Sequence, residues 1–152
     1  MSSTINLVND AVKKLGNRRE NLLPVLQAVV REEKYLSEQA MVEIARAFDI
    51  SSAEVYGIAS FYTFLDFKPR GKNVIRVCKN ITCYMKGKDE IIKAIEERLK
   101  IKIGETTSDG KFSFLTTNCM GWCHKGPAML INDKVFTELT PKKAITAIEE
   151  CL

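Results

Sequence analysis

The sequence predicts a protein of the α+β or α/β class in two parts. A bundle of short helices should occupy residues 1–68, and a small α/β sandwich residues 69–152. Three observations predict this. Apolar residues recur at helical spacing through the first part, in four separate stripes. At Lys68-Pro69-Arg70-Gly71 the texture changes, with a proline and a glycine punctuating the chain. Beyond that point, runs with strand character alternate with helical ones. With 152 residues, 45% of them apolar, the chain can bury a real core.

In the first part, Val8, Ala11, Val12 and Leu15 form the first stripe, and Gly16 follows as a C-terminal stop. Leu22, Val25, Leu26, Val29 and Val30 form the second, with Asn21 as the expected N-cap and Pro24 tolerated in the first turn. Met41, Ile44, Ala45 and Phe48 form the third, begun at Ser37. Val55, Ile58, Ala59 and Tyr62 form the fourth, where Ser51 and Glu54 have capping-box spacing. Such short amphipathic helices are stable only when their stripes are covered.

In the second part, Val74 to Val77 reads as a strand, and Ile91, Ile92, Ile95 and Leu99 mark a helix. Ser108-Asp109-Gly110 is a turn before a strand over 112–116. Residues 128–131 and 135–139 flank Asn132-Asp133 as a hairpin. Thr140-Pro141 pairs an N-cap with proline at the first helical position, opening a last helix through Ile145 and Ile148. The helical crossover implies a parallel strand pair, and the short hairpin an antiparallel one.

The formal net charge of +4 arises from 23 basic and 19 acidic residues, and the acidic ones interrupt most basic groups. No basic stripe with interleaved aromatics is present, so no nucleic-acid partner is expected. The first residues carry no charged segment followed by a long apolar one, and no membrane span is evident, so the chain is read as cytoplasmic. Five cysteines in such a compartment argue for a metal or redox role over a disulfide framework.

Cys78 and Cys83 stand at the end of the first strand, and Cys119 and Cys123 after the second. If the two strands are parallel neighbours, four thiols converge at their carboxyl ends, where open α/β sheets place ligands. Four thiolates suit zinc or an iron–sulfur cluster. The spacings C-x(4)-C and C-x(3)-C are looser than typical zinc knuckles and suit a larger object such as a 2Fe–2S rhomb. A zinc site, a dithiol enzyme, or two unrelated buried pairs stand as alternatives. Gly87, Gly121 and Gly126 would let backbone approach an anionic cluster, and Lys79, Lys86 and Lys125 would offset its charge. Cys83 is expected just before a helix, with the positive end of the dipole towards the site. His124 is read as a surface or supporting group, since a Rieske centre needs two histidines and the chain has one. Trp122 is read as a lid or partner contact and Cys151 as packing; the general rarity of cis bonds favours trans at Pro127.

The runs "IRVCKNITCYMKG", "IGETTSDGKFSF", "NCMGWCHKGPAMLIND" (residues 118–133) and "LTP", with the helical stretch 21–72, resemble the thioredoxin-like 2Fe–2S ferredoxin family. Its members include the 24-kDa subunit of NADH:quinone oxidoreductase and small subunits of NAD(P)-dependent, often electron-bifurcating, hydrogenases, formate dehydrogenases and transhydrogenase-type complexes. The resemblance covers nearly the whole chain. It implies a thioredoxin-like second domain, with Cys78, Cys83, Cys119 and Cys123 as ligands of a 2Fe–2S cluster. It also implies N-terminal helices that dock a flavin- and NAD(P)-binding iron–sulfur subunit, with FMN and NAD(P) on that partner and a further catalytic subunit beyond it. His124-Lys125-Gly126-Pro127 departs from the run usual in respiratory members, which favours a soluble, bifurcating complex such as a hydrogenase. Respiratory complex I, a free-standing ferredoxin and a zinc-binding interaction module are the alternatives. The absence of G-x-G-x-x-G and of a phosphate-binding loop implies no nucleotide site here, so the chain is not expected to be catalytic alone.

Overall fold

The computed structural model describes residues 2–152. The chain divides at Pro69–Arg70 into two compact units.

The first unit holds helices α1 (Ser2–Leu15), α2 (Leu22–Glu33), α3 (Glu38–Phe48) and α4 (Ser52–Phe61). The stripes meet as their spacing requires, except that Leu15 at the end of the first is exposed. Val8 and Ala11 of α1, Val25, Leu26 and Val29 of α2, Ala40 and Ile44 of α3, and Val55 and Ala59 of α4 are buried in one core with Leu36 and Leu65. Burying a side chain the size of Leu26 contributes about 1.5–3 kcal/mol. Ser37 caps α3 by accepting the Ala40 N–H at 3.2 Å, and Ser51 caps α4 by accepting the Glu54 N–H at 3.1 Å. The Glu54 carboxylate pairs with Arg19.

Two further expectations fail here. Asn21 makes no side-chain cap on α2; its amide Nδ2 instead donates to Leu15 O at 2.8 Å and satisfies a carbonyl at the end of α1. Gly16 and a 3-10 turn over Arg19–Asn21 fold the connection tightly enough to bring it there. Tyr62 lies past the end of α4 and is exposed, so the fourth stripe stops at Ala59.

The second unit is built on strands β1 (Asn73–Cys78), β2 (Phe112–Thr117), β3 (Met129–Ile131) and β4 (Lys134–Phe136), in the sheet order β2-β1-β3-β4. β1 pairs parallel with β2 and antiparallel with β3, and β3 pairs antiparallel with β4. The period of two puts Ile75 and Val77 on one face beside Phe112 and Phe114, with Met129 and Ile131 across from them. Over these residues close Ile91 and Ile95 of α6 (Lys88–Leu99), and Ala144, Ala147 and Ile148 of α7 (Pro141–Glu149). Thr140 caps α7 by accepting the Lys143 N–H at 3.2 Å, with Pro141 in the first turn. Asn132 turns the hairpin at φ 54° and its Oδ1 accepts the Val74 N–H at 2.9 Å.

Between β1 and α6 lies a short helix, α5 (Ile81–Met85), which sequence periodicity does not reveal because one turn contains no period. Cys83 sits inside it, so the expectation of Cys83 ahead of a helix is corrected. The Gly126–Pro127 peptide is cis, against the general preference for trans. Among the described residues, no helix is long and apolar enough to cross a membrane.

Candidate metal centre

The parallel register sets Cys78 opposite Thr117, so β1 and β2 end level. The Lys79 N–H donates to Thr117 O at 2.9 Å and ties the two chain exits together. Cys78 is the last residue of β1 and is buried, as is Cys83 in α5. Cys119 follows β2 and is exposed, and Cys123 opens a 3-10 turn over Cys123–Lys125 and is half-buried.

The structure brings the two cysteine segments to the same edge of the sheet. Cys119 Sγ and Cys123 Sγ are 3.1 Å apart. The Cys78 thiol feels the Cys83 and Cys119 thiols electrostatically. The thiols meet pair by pair: among the described residues, no group of three or more His, Cys, Asp or Glu is gathered as one metal ion would require. Cys151 stands apart, packed against the core of the second unit, with its Sγ facing Ala147 O at 3.4 Å.

Each thiol has its own electrostatic setting. Burial pushes the Cys78 thiol up, against a lowering backbone bond from Asn80. Cys119 is held below the ordinary thiol range by a hydrogen bond from Cys123 and by the Gly121 N–H, whose nitrogen is 3.3 Å from Sγ. Cys123 is raised, first by its bond to Cys119 and then by desolvation, with the Thr82 side chain pulling the other way.

The three glycines expected to admit backbone behave differently. A Cβ on Gly126 would sit 3.2 Å from Cys83 Sγ, so this one is needed for close approach. Gly121 adopts φ +84° and aims its N–H at sulfur. Gly87 meets nothing within 4 Å; its φ of +90° turns the chain between α5 and α6.

Other neighbours are not legible in the sequence. Lys86 is expected there only as a nearby charge, yet its Nζ donates to Cys123 O at 3.0 Å and to His124 O at 3.4 Å. Ile81, Tyr84 and Met85 of α5 are exposed, an apolar surface beside Cys83 that the Ile-Thr-Cys-Tyr-Met run signals only once the helix is known. The rings of Trp122 and His124 stack with centroids 5.8 Å apart, both side chains lying on the surface.

Comparison with known proteins identifies the family. The family model for thioredoxin-like [2Fe-2S] ferredoxins matches residues 8–152. The chain is 37% identical to a subunit of the NADH-quinone oxidoreductase of Buchnera aphidicola subsp. Acyrthosiphon pisum, over 95% of this chain and 90% of that one. It is 36% identical to the HndA subunit of the NADP-reducing hydrogenase of Solidesulfovibrio fructosivorans, over 86% of this chain and 76% of that one. Its fold superposes on the crystal structure of an NAD+-reducing [NiFe]-hydrogenase in the air-oxidised state with a TM-score of 0.74 at 25% identity. That match covers 86% of this chain and 22% of the longer hydrogenase chain. By the extent of the family match and by the identity it shares with relatives over most of their length, this chain belongs to the thioredoxin-like [2Fe-2S] ferredoxin family, and its cofactor is a 2Fe–2S cluster.

Proposed function

We propose that this chain is the one-electron-transfer subunit of a multisubunit, NAD(P)H-dependent flavin oxidoreductase, with its cluster held by Cys78, Cys83, Cys119 and Cys123. The observation that carries the assignment is that the segments bearing two cysteine pairs end level at the carboxyl edge of the parallel pair β1 and β2, with Cys119 and Cys123 in contact. The donor set fits the group. Four thiolates are the number a two-iron cluster takes. Gly126 leaves room beside the Cys83 sulfur, and the Gly121 N–H supplies a donor to the Cys119 sulfur. Bound, the cluster takes up and returns single electrons.

The rest of the work falls to the chain's own residues. Buried Cys78 and Cys83 anchor the inner side of the site, and exposed Cys119 forms the side open to a partner. The relatives named above belong to an NADH-quinone oxidoreductase and an NADP-reducing hydrogenase, which share a nicotinamide substrate. A nicotinamide moves two electrons as hydride, and flavin chemistry converts that pair into single steps. We therefore assign FMN and the NAD(P) site to a flavin- and NAD(P)-binding iron–sulfur subunit, with a further catalytic subunit completing the complex. Exposed Tyr56, Phe61, Tyr62 and Phe64 support a docking role for the helical unit, since apolar side chains of that size gathered on one short stretch mark interaction surfaces. The His124-Lys125-Gly126-Pro127 run supports a hydrogenase-type, electron-bifurcating assembly.

Anaerobic purification of the tagged chain from its own host tests the reading. A copurifying flavoprotein, and a 2Fe–2S electron paramagnetic resonance signal that appears on adding NADH or NADPH to the complex, are expected. Recovery of the chain alone with stoichiometric zinc would overturn it.

A further inference from the structure

Resting on the ligand set proposed above, we propose that Lys86 is the positioning residue that locks the two cysteine segments together, and that its charge raises the reduction potential of the cluster. Lys86 directly follows α5, the helix that carries Cys83. Its side chain leaves that segment and crosses to the other one. There Nζ donates to the backbone oxygen of Cys123 at 3.0 Å and to that of His124 at 3.4 Å. On the way, Cδ passes 3.5 Å from where a Cβ on Gly126 would lie, so the apolar stem runs along the same backbone that Cys83 touches. One side chain thus spans the helix of one ligand and the turn of another.

The other two cations near the site make no such tie: among the described residues, neither Lys79 nor Lys125 donates a side-chain hydrogen bond to these segments. A free lysine samples many rotamers and is screened by water and salt. Lys86 is also exposed, but two carbonyl acceptors hold it, so its charge stays in one place against the Cys123 backbone. Adding an electron makes an anionic site more negative, and a fixed neighbouring cation favours the more negative state. The same contacts hold Cys83 and Cys123 at one spacing, which slows their separation and the loss of iron.

The test compares wild type with Lys86→Met, Lys86→Gln and Lys86→Arg in the full-length chain, with Lys79→Met as the untied-lysine control. Folding is followed by circular dichroism, iron loss to a chelator by absorbance, and the midpoint potential by redox titration. Lys86→Met is expected to lose iron several-fold faster and to have a lower potential. Lys86→Gln, neutral but still a donor, should keep most of the iron lifetime and show the lowered potential. Lys86→Arg should restore both, and Lys79→Met should move neither as far. Equal potentials in all five proteins, or iron loss from Lys86→Met as slow as from wild type, would overturn the proposal. If Lys86→Met does not fold, the Gln and Arg variants still separate the charge from the tie. Failure of the ligand set has a different signature: wild type that takes up no 2Fe–2S cluster, or keeps it after Cys83→Ser and Cys123→Ser.

Discussion

The backbone of Gly126 runs so close to Cys83 that a Cβ there would meet the sulfur at 3.2 Å. A sulfur that must also face a cluster has little freedom to retreat. Gly126→Ala is therefore expected to lower the iron and sulfide content of the purified protein at least twofold. Gly57→Ala is the control: Gly57 lies within α4 with nothing within 4 Å of the added carbon, and the change should stabilise the fold by about 0.5–1 kcal/mol. Iron assay and urea unfolding of the two variants check the pair.

Anaerobically purified protein should contain about two irons and two acid-labile sulfides per chain. Serine at any one of positions 78, 83, 119 and 123 should abolish or markedly destabilise the visible absorption. Cys151→Ser should leave it intact, because that thiol packs beside Ala147 and away from the others. Bleaching by Cys151→Ser would show the ligand assignment to be wrong.

In cluster-free protein the thiols should separate by reactivity. Cys119 is exposed and its pKa is lowered, so its thiolate fraction rises at a lower pH than that of an ordinary thiol. Cys78 is buried and its pKa is raised, so its thiolate appears only at higher pH. Near neutral pH, iodoacetamide should modify Cys119 first, and the preference should narrow as the pH climbs through the ordinary thiol range. Peptide mass spectrometry over a pH series reads this directly; first labelling at Cys78 would contradict it.

The isolated, cluster-loaded chain should oxidise no NADH with a dye acceptor and should bind no flavin. The two-electron donor needs a flavin to split its electrons, and we place that flavin on the partner. Turnover matching the assembled complex, or stoichiometric flavin on this chain, is the outcome that sinks the assignment.

Phe114 of β2 is fully buried in the core of the second unit. Phe114→Ala should destabilise that unit by about 3–5 kcal/mol. Chemical denaturation followed through the cluster absorption is the measurement.

What the sequence makes legible depends on how local the cause is. Ser37, Ser51 and Thr140 cap their helices because each acceptor and donor lie within one turn of chain. The parallel pairing of β1 and β2 is foreseeable too, because a helical crossover permits little else, and with it the meeting of the cysteine segments. Asn21 misleads because it lies between two helix ends and either could claim its side chain; the folding of the connection decides for Leu15. The short α5 is invisible because five residues carry no readable period. The tie from Lys86 to Cys123 joins segments separated by a helix and a strand, a relationship fixed only once the sheet has formed.

That separation has a kinetic consequence. Cys78 and Cys83 precede α6, and Cys119 and Cys123 follow β2, so the two halves of the site become neighbours only when the non-local β1–β2 ladder closes. Such closures are slow steps in folding, because a long intervening loop must be ordered before any contact rewards it. Cofactor delivery to a nascent chain thus has to wait for the sheet, and iron uptake becomes a clock for completion of the second unit.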